Sequence, residues 1–152
     1  MVTDEPFVFP SLGPTAFLLL ERADSPAASP RNTIAGHAIG VAAGFVALAV
    51  FGLVDAPSAL EVGVSLSRAM AAGLSLGATS SLMILLRRVH PPAGATTLIV
   101  SLGLMRTARE LAVLLSAVVL LVSLSQLSRR LHTTSRRRAE RRRRSRSRGR
   151  CR

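Results

Sequence analysis

The chain of 152 residues contains no lysine, tryptophan or tyrosine and has a single cysteine, Cys151. One cysteine excludes an internal disulfide and any metal site built from paired cysteines. We expect no metal site from histidine either, because His132 lies in the arginine-rich end and no carboxylate is adjacent to His90 in sequence. A nucleophile elbow and a Walker phosphate loop are also missing. The sequence therefore predicts no enzyme, no catalytic residue and no cofactor.

Positive charge is concentrated at the C-terminal end of the chain. The formal net charge is +12, but 13 of the 20 arginines lie at or after Arg129, and the preceding part is nearly neutral. This distribution predicts a membrane domain over residues 1–128 and a disordered arginine-rich tail over residues 129–152. We expect the tail to bind anionic lipid headgroups. No aromatic residue interleaves it, so nucleic acid is the less favoured partner.

Three uncharged apolar runs predict an all-α, polytopic membrane protein in contact with the lipid bilayer. The runs are Gly36 to Val54, Ala69 to Leu86 and Leu111 to Leu124. Glycines spaced four residues apart predict faces on which helix backbones pack closely in the first two runs. These glycines are Gly36, Gly40 and Gly44 in the first run and Gly73 and Gly77 in the second.

One short phrase occurs twice, as Pro10 to Thr15 and as Pro91 to Thr96, with proline, glycine and threonine at the same relative positions. Each copy belongs to a short hydrophobic segment, Phe7 to Leu20 and Ala93 to Met105. A helix of that length measures about 20 Å, against a hydrocarbon core of about 30 Å. Paired broken segments in corresponding places are typical of a solute site between two repeats of a membrane protein.

The two broken segments either cross the bilayer or enter it and return on the same side. Crossing places more arginines on the side of the tail, so the positive-inside rule favours crossing with a cytoplasmic tail. The two copies would then run in opposite directions, as an inverted repeat requires. In that arrangement Arg22, Arg31, Arg87 and Arg88 share the side of the tail, and Arg68, Arg106 and Arg109 lie on the other.

The sequence around His90 predicts a break in the second segment that would suit an anion. Two prolines follow His90, so the preceding helix must stop, and Gly94 permits a turn before a new helix starts near Thr96. The backbone N–H groups of that helix start would bind an anion, unless the break is only a kinked connection. The predicted substrate-binding residues are Gly13, Thr15, Arg31, Asn32, His37, His90, Pro91, Pro92, Gly94 and Thr96.

Three of these residues have a more specific predicted role. His37 and His90 lie at the edges of apolar runs, where an imidazole either carries a coupling proton or only forms a structural hydrogen bond. Arg31 would attract anions to the mouth of the site.

Several motifs resemble those of the HPP family of integral membrane proteins. The stretch His90 to Ala95 is similar to the signature that names the family, and the resemblance runs from about Ser11 to near Leu127. It implies a multi-span membrane protein, and some plant-plastid and cyanobacterial members are linked to nitrite transport. The remaining matching motifs are Ser11 to Gly13, Ser25-Pro26, Pro30 to Asn32 and Gly36-His37.

The sequence departs from the family pattern at Pro14, Thr15 and Ser29. We also expect the chain to lack the family's first helix, because Met1 stands just before Phe7. That helix would be absent from a truncated form, encoded upstream of a misplaced start, or supplied by a second subunit.

Together these observations predict a small-anion, nitrite-like transporter or binding protein in the cell membrane. The alternative is a non-transporting membrane subunit or anchor whose basic tail binds anionic lipid or a partner. A homo-oligomer or a helix-donating subunit fits either hypothesis. The sequence leaves the solute, the coupling ion and the oligomeric state open.

Overall fold

A computed structural model of the chain describes the backbone of residues 10–149 and the side chains of residues 10–131. Phe7 and Cys151, which entered the sequence predictions, lie outside the described residues. The described part is helical and contains no strand, which confirms the predicted all-α class. Its elements are α1 (Leu12–Glu21), a 3-10 turn (Pro26–Ala28), α2 (Pro30–Val50), α3 (Ala59–Val62), α4 (Leu66–Leu85), α5 (Ala93–Ser101) and α6 (Ala108–Gly149).

Three helices are long and apolar enough to cross a membrane: α2, α4 and the part of α6 from Ala108 to Leu131. Each begins at a hydroxyl side chain that accepts a backbone N–H of the first turn, which satisfies a donor that the helix itself leaves free. The capping residues are Ser29, Ser65 and Thr107. The lengths of 21, 20 and 24 residues match the thickness of a bilayer, and these helices correspond to the three predicted apolar runs.

The short helix α5 lies along α2 and runs parallel to it. Gly36 faces Ala93, and Gly44, two turns later, faces Val100. A Cβ atom at Gly40 would lie 2.8 Å from the Ala93 carbonyl oxygen, and one at Gly44 would lie 2.8 Å from Val100 Cβ. The predicted close packing at the first glycine stripe is therefore confirmed.

The predicted packing role of the second glycine stripe is wrong. A Cβ atom at Gly73 or Gly77 would have no neighbour within 4 Å, apart from its own helix. The buried face of α4 instead carries Ala71, Ser75 and Thr79. Residues two positions away lie about 200° around a helix, so the glycines point outward when these residues point inward.

The first short helix, α1, runs in the opposite direction to α2. Thr15 contacts His37, whereas Leu19, one turn further along α1, packs against Ala28, which precedes α2. Since α5 is parallel to α2 and α1 is antiparallel to it, the two copies of the repeated phrase lead into helices of opposite direction. This orientation is the one that the inverted repeat requires.

One end of the bundle, called the distal end here, is where α2 stops at Val50. Arg68 and Arg106 lie at this end. Arg68 donates to the Pro57 carbonyl at 2.6 Å, and Arg106 donates to the Ala56 carbonyl. Arg88 lies at the opposite end, where α2 begins, so the chain between Arg88 and Arg106 passes from one end of the bundle to the other.

The proximal end of the bundle is where α2 begins. Arg129 of α6 lies 3.3 Å from the Asp24 carboxylate there, so α6 returns antiparallel to α2. The grouping of arginines matches the one predicted for crossing segments. The other arginines at this end are Arg22, Arg31, Arg87 and Arg88.

The backbone of the arginine-rich end is helical through Gly149, where composition predicts disorder. Arginine is a good helix former, and a helix that is already nucleated adds residues without the cost of a new nucleus. Residues 150–152 of the predicted tail lie outside the described part of the chain.

Candidate functional site

Two histidines meet in the interior of the bundle. His37 lies on the glycine-lined face of α2, and His90 lies in the turn before α5; both side chains are fully buried. The ring centroids are 5.1 Å apart and the ring planes are tilted by 55°. Gly36 makes this approach possible, because a Cβ atom there would lie 2.8 Å from His90 Cβ.

The Thr15 hydroxyl of α1 lies between the two rings. Its Oγ1 atom is 3.0 Å from His37 Nε2 and 3.4 Å from His90 Nε2, and it also reaches the Ser11 carbonyl at 2.9 Å. Thr96, the corresponding threonine of the second phrase, places its Oγ1 2.7 Å from His37 Nδ1. The two repeated threonines therefore contact opposite nitrogens of one imidazole.

The other nitrogen of His90 faces the segment before α2. His90 Nδ1 lies 2.8 Å from the Ala27 carbonyl oxygen and 3.4 Å from Thr33 Oγ1. Because a carbonyl oxygen only accepts hydrogen bonds, His90 Nδ1 must carry a hydrogen. This bond fixes the tautomer of the neutral ring and leaves Nε2 as an acceptor that faces Thr15.

A second pair of buried hydroxyls lies outside the histidine cluster. Thr79 Oγ1 of α4 is 2.9 Å from Thr97 Oγ1 of α5, and Thr97 also donates to the Ala93 carbonyl. Sequence reasoning missed Thr33, Thr79 and Thr97. The available signal was a hydroxyl at an inward position of an otherwise apolar helix, since such a group must find a partner when it is buried.

An open cleft of about 440 Å³ lies at the proximal end of the bundle. Ala27 connects it with the interior, because this residue lines the cleft while its carbonyl accepts from His90. Arg87 contributes the positive charge of the lining, and its φ of 53° is one that an arginine rarely adopts. The lining residues are Ser25, Pro26, Ala27, Asn32, Ile84, Arg87 and Val89.

The structure brings four of the predicted site residues together: Thr15, His37, His90 and Thr96. Asn32 lies apart from them, in the cleft, where its side-chain amide donates to the Pro26 carbonyl at 2.9 Å.

Other predicted site residues do not reach the histidine cluster. A Cβ atom at Gly13 would have no neighbour within 4 Å, and one at Gly94 would meet Leu76 of α4 at 3.2 Å. Arg31 and Pro91 are exposed, and Pro92 is the half-buried residue that precedes α5.

The backbone N–H groups of the second phrase, which the sequence predicts as an anion site, form hydrogen bonds within the proline turn. The helix starts at Ala93 rather than near Thr96, and its first N–H groups are already bonded. Ala93 donates to the His90 carbonyl at 3.0 Å, and Gly94 donates to the Pro91 carbonyl at 3.1 Å. The two prolines form a tight turn with these residues, so the N–H groups are not free for an anion.

The neighbours of the two rings are hydroxyls and a carbonyl. Over residues 10–131, no three side chains of histidine, cysteine, aspartate or glutamate cluster. The cluster is therefore a set of neutral hydrogen-bonding groups around two imidazoles, which suits proton exchange and hydrogen bonding to a small polar solute.

Three bilayer-length helices, two short helices of opposite direction and a buried histidine–threonine cluster define a polytopic membrane protein with a polar interior. A family model described as "HPP, transmembrane region" matches residues 1–139, and the chain belongs to this family. The match includes His90 and the two prolines after it, and it extends into the arginine-rich end. No curated protein and no solved structure matches the chain.

Proposed function

We propose that the protein binds a small, nitrite-like anion between its two inverted halves and moves it across the membrane. The observation that carries this proposal is the contact of Thr15 with both His37 and His90. One half supplies Thr15 and His37, and the other supplies His90 and Thr96, so the polar centre exists only where the halves meet. Ionisable side chains inside a membrane bundle are costly and typically serve solute or proton passage.

The cleft at the proximal end is the proposed entrance. Arg87 gives it positive charge, and Asn32 adds a side-chain amide. Arg87 takes the role that the sequence suggested for Arg31, whose exposed side chain is not among the cleft lining. A positive group beside a low-dielectric wall raises the local concentration of anions.

The polar centre offers the donors that a small anion needs. In the described conformation, Thr15, Thr96 and the two rings satisfy one another, so an entering anion must replace these bonds with bonds to itself. Removal of an anion from water is expensive unless donors or a positive charge replace the hydration shell. A proton on either imidazole would supply that charge, which makes coupled movement of a proton and the anion the favoured mode.

The arginine distribution supports a cytoplasmic proximal end in the cell membrane. Five of the arginines at or before Arg129 lie at this end, against Arg68, Arg106 and Arg109 at the distal end. The arginine-rich end of α6 leaves the bundle from the same side, where anionic lipid headgroups are available to it. A membrane-impermeant thiol label applied to intact cells should therefore leave Cys151 unmodified, and efficient labelling would reverse the proposed orientation.

The function is tested by flux into vesicles that carry the purified full-length chain. Nitrite, nitrate, chloride and formate are supplied separately, and protein-free vesicles give the leak. We expect nitrite uptake above the leak, with a loss of about tenfold or more in His90→Gln, since an amide cannot exchange a proton as imidazole does. Thr79→Val, which alters a buried hydroxyl outside the cluster, serves as the matched control. Failure of the wild-type chain to move any of the four anions would refute the proposal.

A non-transporting anchor is the second candidate, and the helix that continues through the arginine-rich end favours it. Deletion of residues 132–152 separates the two candidates. The transporter should keep its anion flux after the deletion, whereas an anchor should lose its association with anionic vesicles or with its partner.

A further inference from the structure

We infer that His37, Thr15 and His90 form a directional proton relay, in which the Thr15 hydroxyl passes a proton from one imidazole to the other. The relay rests on the proposed function for its biological purpose, because it names the path of the coupling proton. Its chemistry, however, follows from the hydrogen-bond geometry alone and can be measured without transport.

The tautomer of His90 sets the direction of the relay. Its Nδ1 atom lies 2.8 Å from the Ala27 carbonyl oxygen, which only accepts, so the neutral ring carries its hydrogen on Nδ1. Its Nε2 atom is then a lone-pair acceptor, 3.4 Å from Thr15 Oγ1. His90 is the end of the relay that can receive a proton.

Thr15 has one hydroxyl hydrogen and several groups that compete for it. If His37 carries its hydrogen on Nε2, it donates to Thr15, and Thr96 can donate to His37 Nδ1. The Thr15 hydrogen then remains available for the Ser11 carbonyl or for His90 Nε2.

The opposite tautomer of His37 satisfies fewer groups. A hydrogen on Nδ1 would point to Thr96, and the single Thr15 hydrogen would face three acceptors: Ser11, His37 and His90. Thr15 is fully buried, and a buried acceptor without a donor costs stability. We therefore assign Nε2–H to His37, so that Thr96 donates to His37 and His37 donates to Thr15. The Thr15 hydrogen points to the Ser11 carbonyl at 2.9 Å and must rotate toward His90 Nε2 for the transfer.

The transfer follows from this order of donors. The Thr96 O–H bond breaks as an N–H bond forms on His37 Nδ1, and a hydronium ion reprotonates Thr96 as one of its own O–H bonds breaks. The N–H bond at His37 Nε2 breaks as an O–H bond forms on Thr15. The original O–H bond of Thr15 breaks as an N–H bond forms on His90 Nε2. His90 is now the protonated ring, and no electron has been transferred.

The proton leaves from the other side of His90. Its Nδ1–H bond breaks as an O–H bond forms on water or on a small basic anion in the cleft that Ala27 lines. His37 then carries its hydrogen on Nδ1, and His90 carries its hydrogen on Nε2. Each ring regains its starting tautomer when that N–H bond breaks with transfer of the proton to water and water supplies a proton to the other ring nitrogen.

The surroundings allow one proton on the pair at a time. No third histidine, cysteine or carboxylate joins the two rings over residues 10–131, so like-charge repulsion disfavours a second proton. The charged side chains of the neighbouring elements stand at the two ends of the bundle rather than in the cluster. Arg68, Arg106, Arg109 and Glu110 lie at the distal end. Those at the proximal end are Glu21, Arg22, Asp24, Arg31, Arg87, Arg88, Arg129 and Arg130.

Nitrogen NMR of the full chain in lipid nanodiscs, with labelled histidine, tests the relay without any transport. We expect the Nδ1–H tautomer for neutral His90 and the Nε2–H tautomer for neutral His37, with assignments made from His37→Gln and His90→Gln. The Nδ1–H tautomer on His37 would overturn the assigned direction, whether or not the protein moves anions.

Substitution of Thr15 tests the transfer itself. In vesicles with an internal pH dye and an imposed nitrite gradient, Thr15→Val should lower anion-driven proton flux about tenfold or more, because it removes the connecting hydroxyl. Thr15→Ser should restore the flux, and Thr79→Val should leave it unchanged. Thermal unfolding in detergent checks that all variants remain folded.

The outcomes separate the relay from the proposed function. Normal proton flux in a folded Thr15→Val chain would refute the relay while leaving anion transport standing. A wild-type chain that moves nitrite without protons would also refute it. A wild-type chain that moves no anion would refute the proposed function, and the tautomers would still decide whether the relay is correctly assigned.

Discussion

The imidazoles of His37 and His90 stand 5.1 Å apart, although 52 residues separate them in the chain. One ring belongs to a membrane-spanning helix and the other to a proline turn. The Thr15 hydroxyl, from a third element, contacts Nε2 of each ring. Thr96 of the second copy contacts Nδ1 of His37, so the two copies of the repeated phrase are connected through side chains rather than through the backbone.

The first prediction compares two glycines that lie on helices of similar length. Gly40→Leu should lower the thermal stability of the chain in detergent, because even a Cβ atom would lie 2.8 Å from the Ala93 carbonyl oxygen. Overpacking of this kind costs about 1–3 kcal/mol or more. Gly77→Leu should have little effect, since no neighbour apart from its own helix lies within 4 Å of its Cβ position. Equal melting temperatures for the two variants would contradict the packing of α2 on α5.

The second prediction concerns two glycines that end helices in the same way. Gly52 follows α2 with a φ of 64°, and Gly103 follows α5 with a φ of 77°. Alanine at either position costs about 1 kcal/mol for the left-handed backbone. Gly103→Ala should cost more, because its Cβ atom would lie 2.6 Å from Nη1 of Arg68, whose guanidinium is buried and held by the Pro57 carbonyl and so cannot easily move aside. Unfolding free energies of the two variants measure the difference, and a larger loss in Gly52→Ala would refute this role of Arg68.

The third prediction is a titration at the distal end. The Ser58 hydroxyl and the Ser58 backbone N–H donate to Glu61, which lowers the pKa of that carboxyl below its ordinary value. A lowered carboxyl pKa stabilises the fold at neutral pH, and this contribution is lost as the pH falls through the folded-state pKa. Ser58→Ala should raise the pKa of Glu61 toward its ordinary value, as followed by carboxyl-carbon NMR. An unchanged titration would show that the serine hydroxyl does not control this carboxyl.

The fourth prediction separates two adjacent arginines. Arg87 lines the cleft and Arg88 is not among its lining residues, so the pair offers a matched test of the proposed entrance. Arg87→Gln should raise the nitrite concentration that gives half-maximal uptake, and Arg88→Gln should leave it nearly unchanged. The effect should shrink as ionic strength rises, because salt screens exposed charges. Equal effects of the two variants would mean that only the net charge of this end matters.

Much of the architecture was predictable because hydrophobic length and glycine spacing are local signals. The three spans, the packing of Gly36 to Gly44 and the opposite directions of the two phrases were predicted from sequence and are found in the structure. The outward face of Gly73 and Gly77 was not predictable in this way. Which side of a helix faces its neighbours depends on tertiary packing, and small residues occur on both sides of α4.

The site was predictable in its residue types and less so in its geometry. Thr15, His37, His90 and Thr96 converge, but the backbone N–H groups near Gly94 bond to the proline turn. Sequence spacing cannot show whether an N–H group is already satisfied. Arg87 was also missed as a cleft residue, because its position depends on how α4 ends beside the segment before α2.

The three glycines of α2 have a mechanical consequence for the relay. They bring α2 and α5 into close contact, and the 2.7 Å hydrogen bond between His37 and Thr96 spans this interface. Thr15 belongs to α1, which has no such interlock among its described contacts. Displacement of α1 by about 1 Å away from both rings would stretch the two contacts of the Thr15 hydroxyl, now 3.0 and 3.4 Å, beyond hydrogen-bonding range. The position of the short helix α1 thus determines whether the Thr15 hydroxyl connects the two imidazoles.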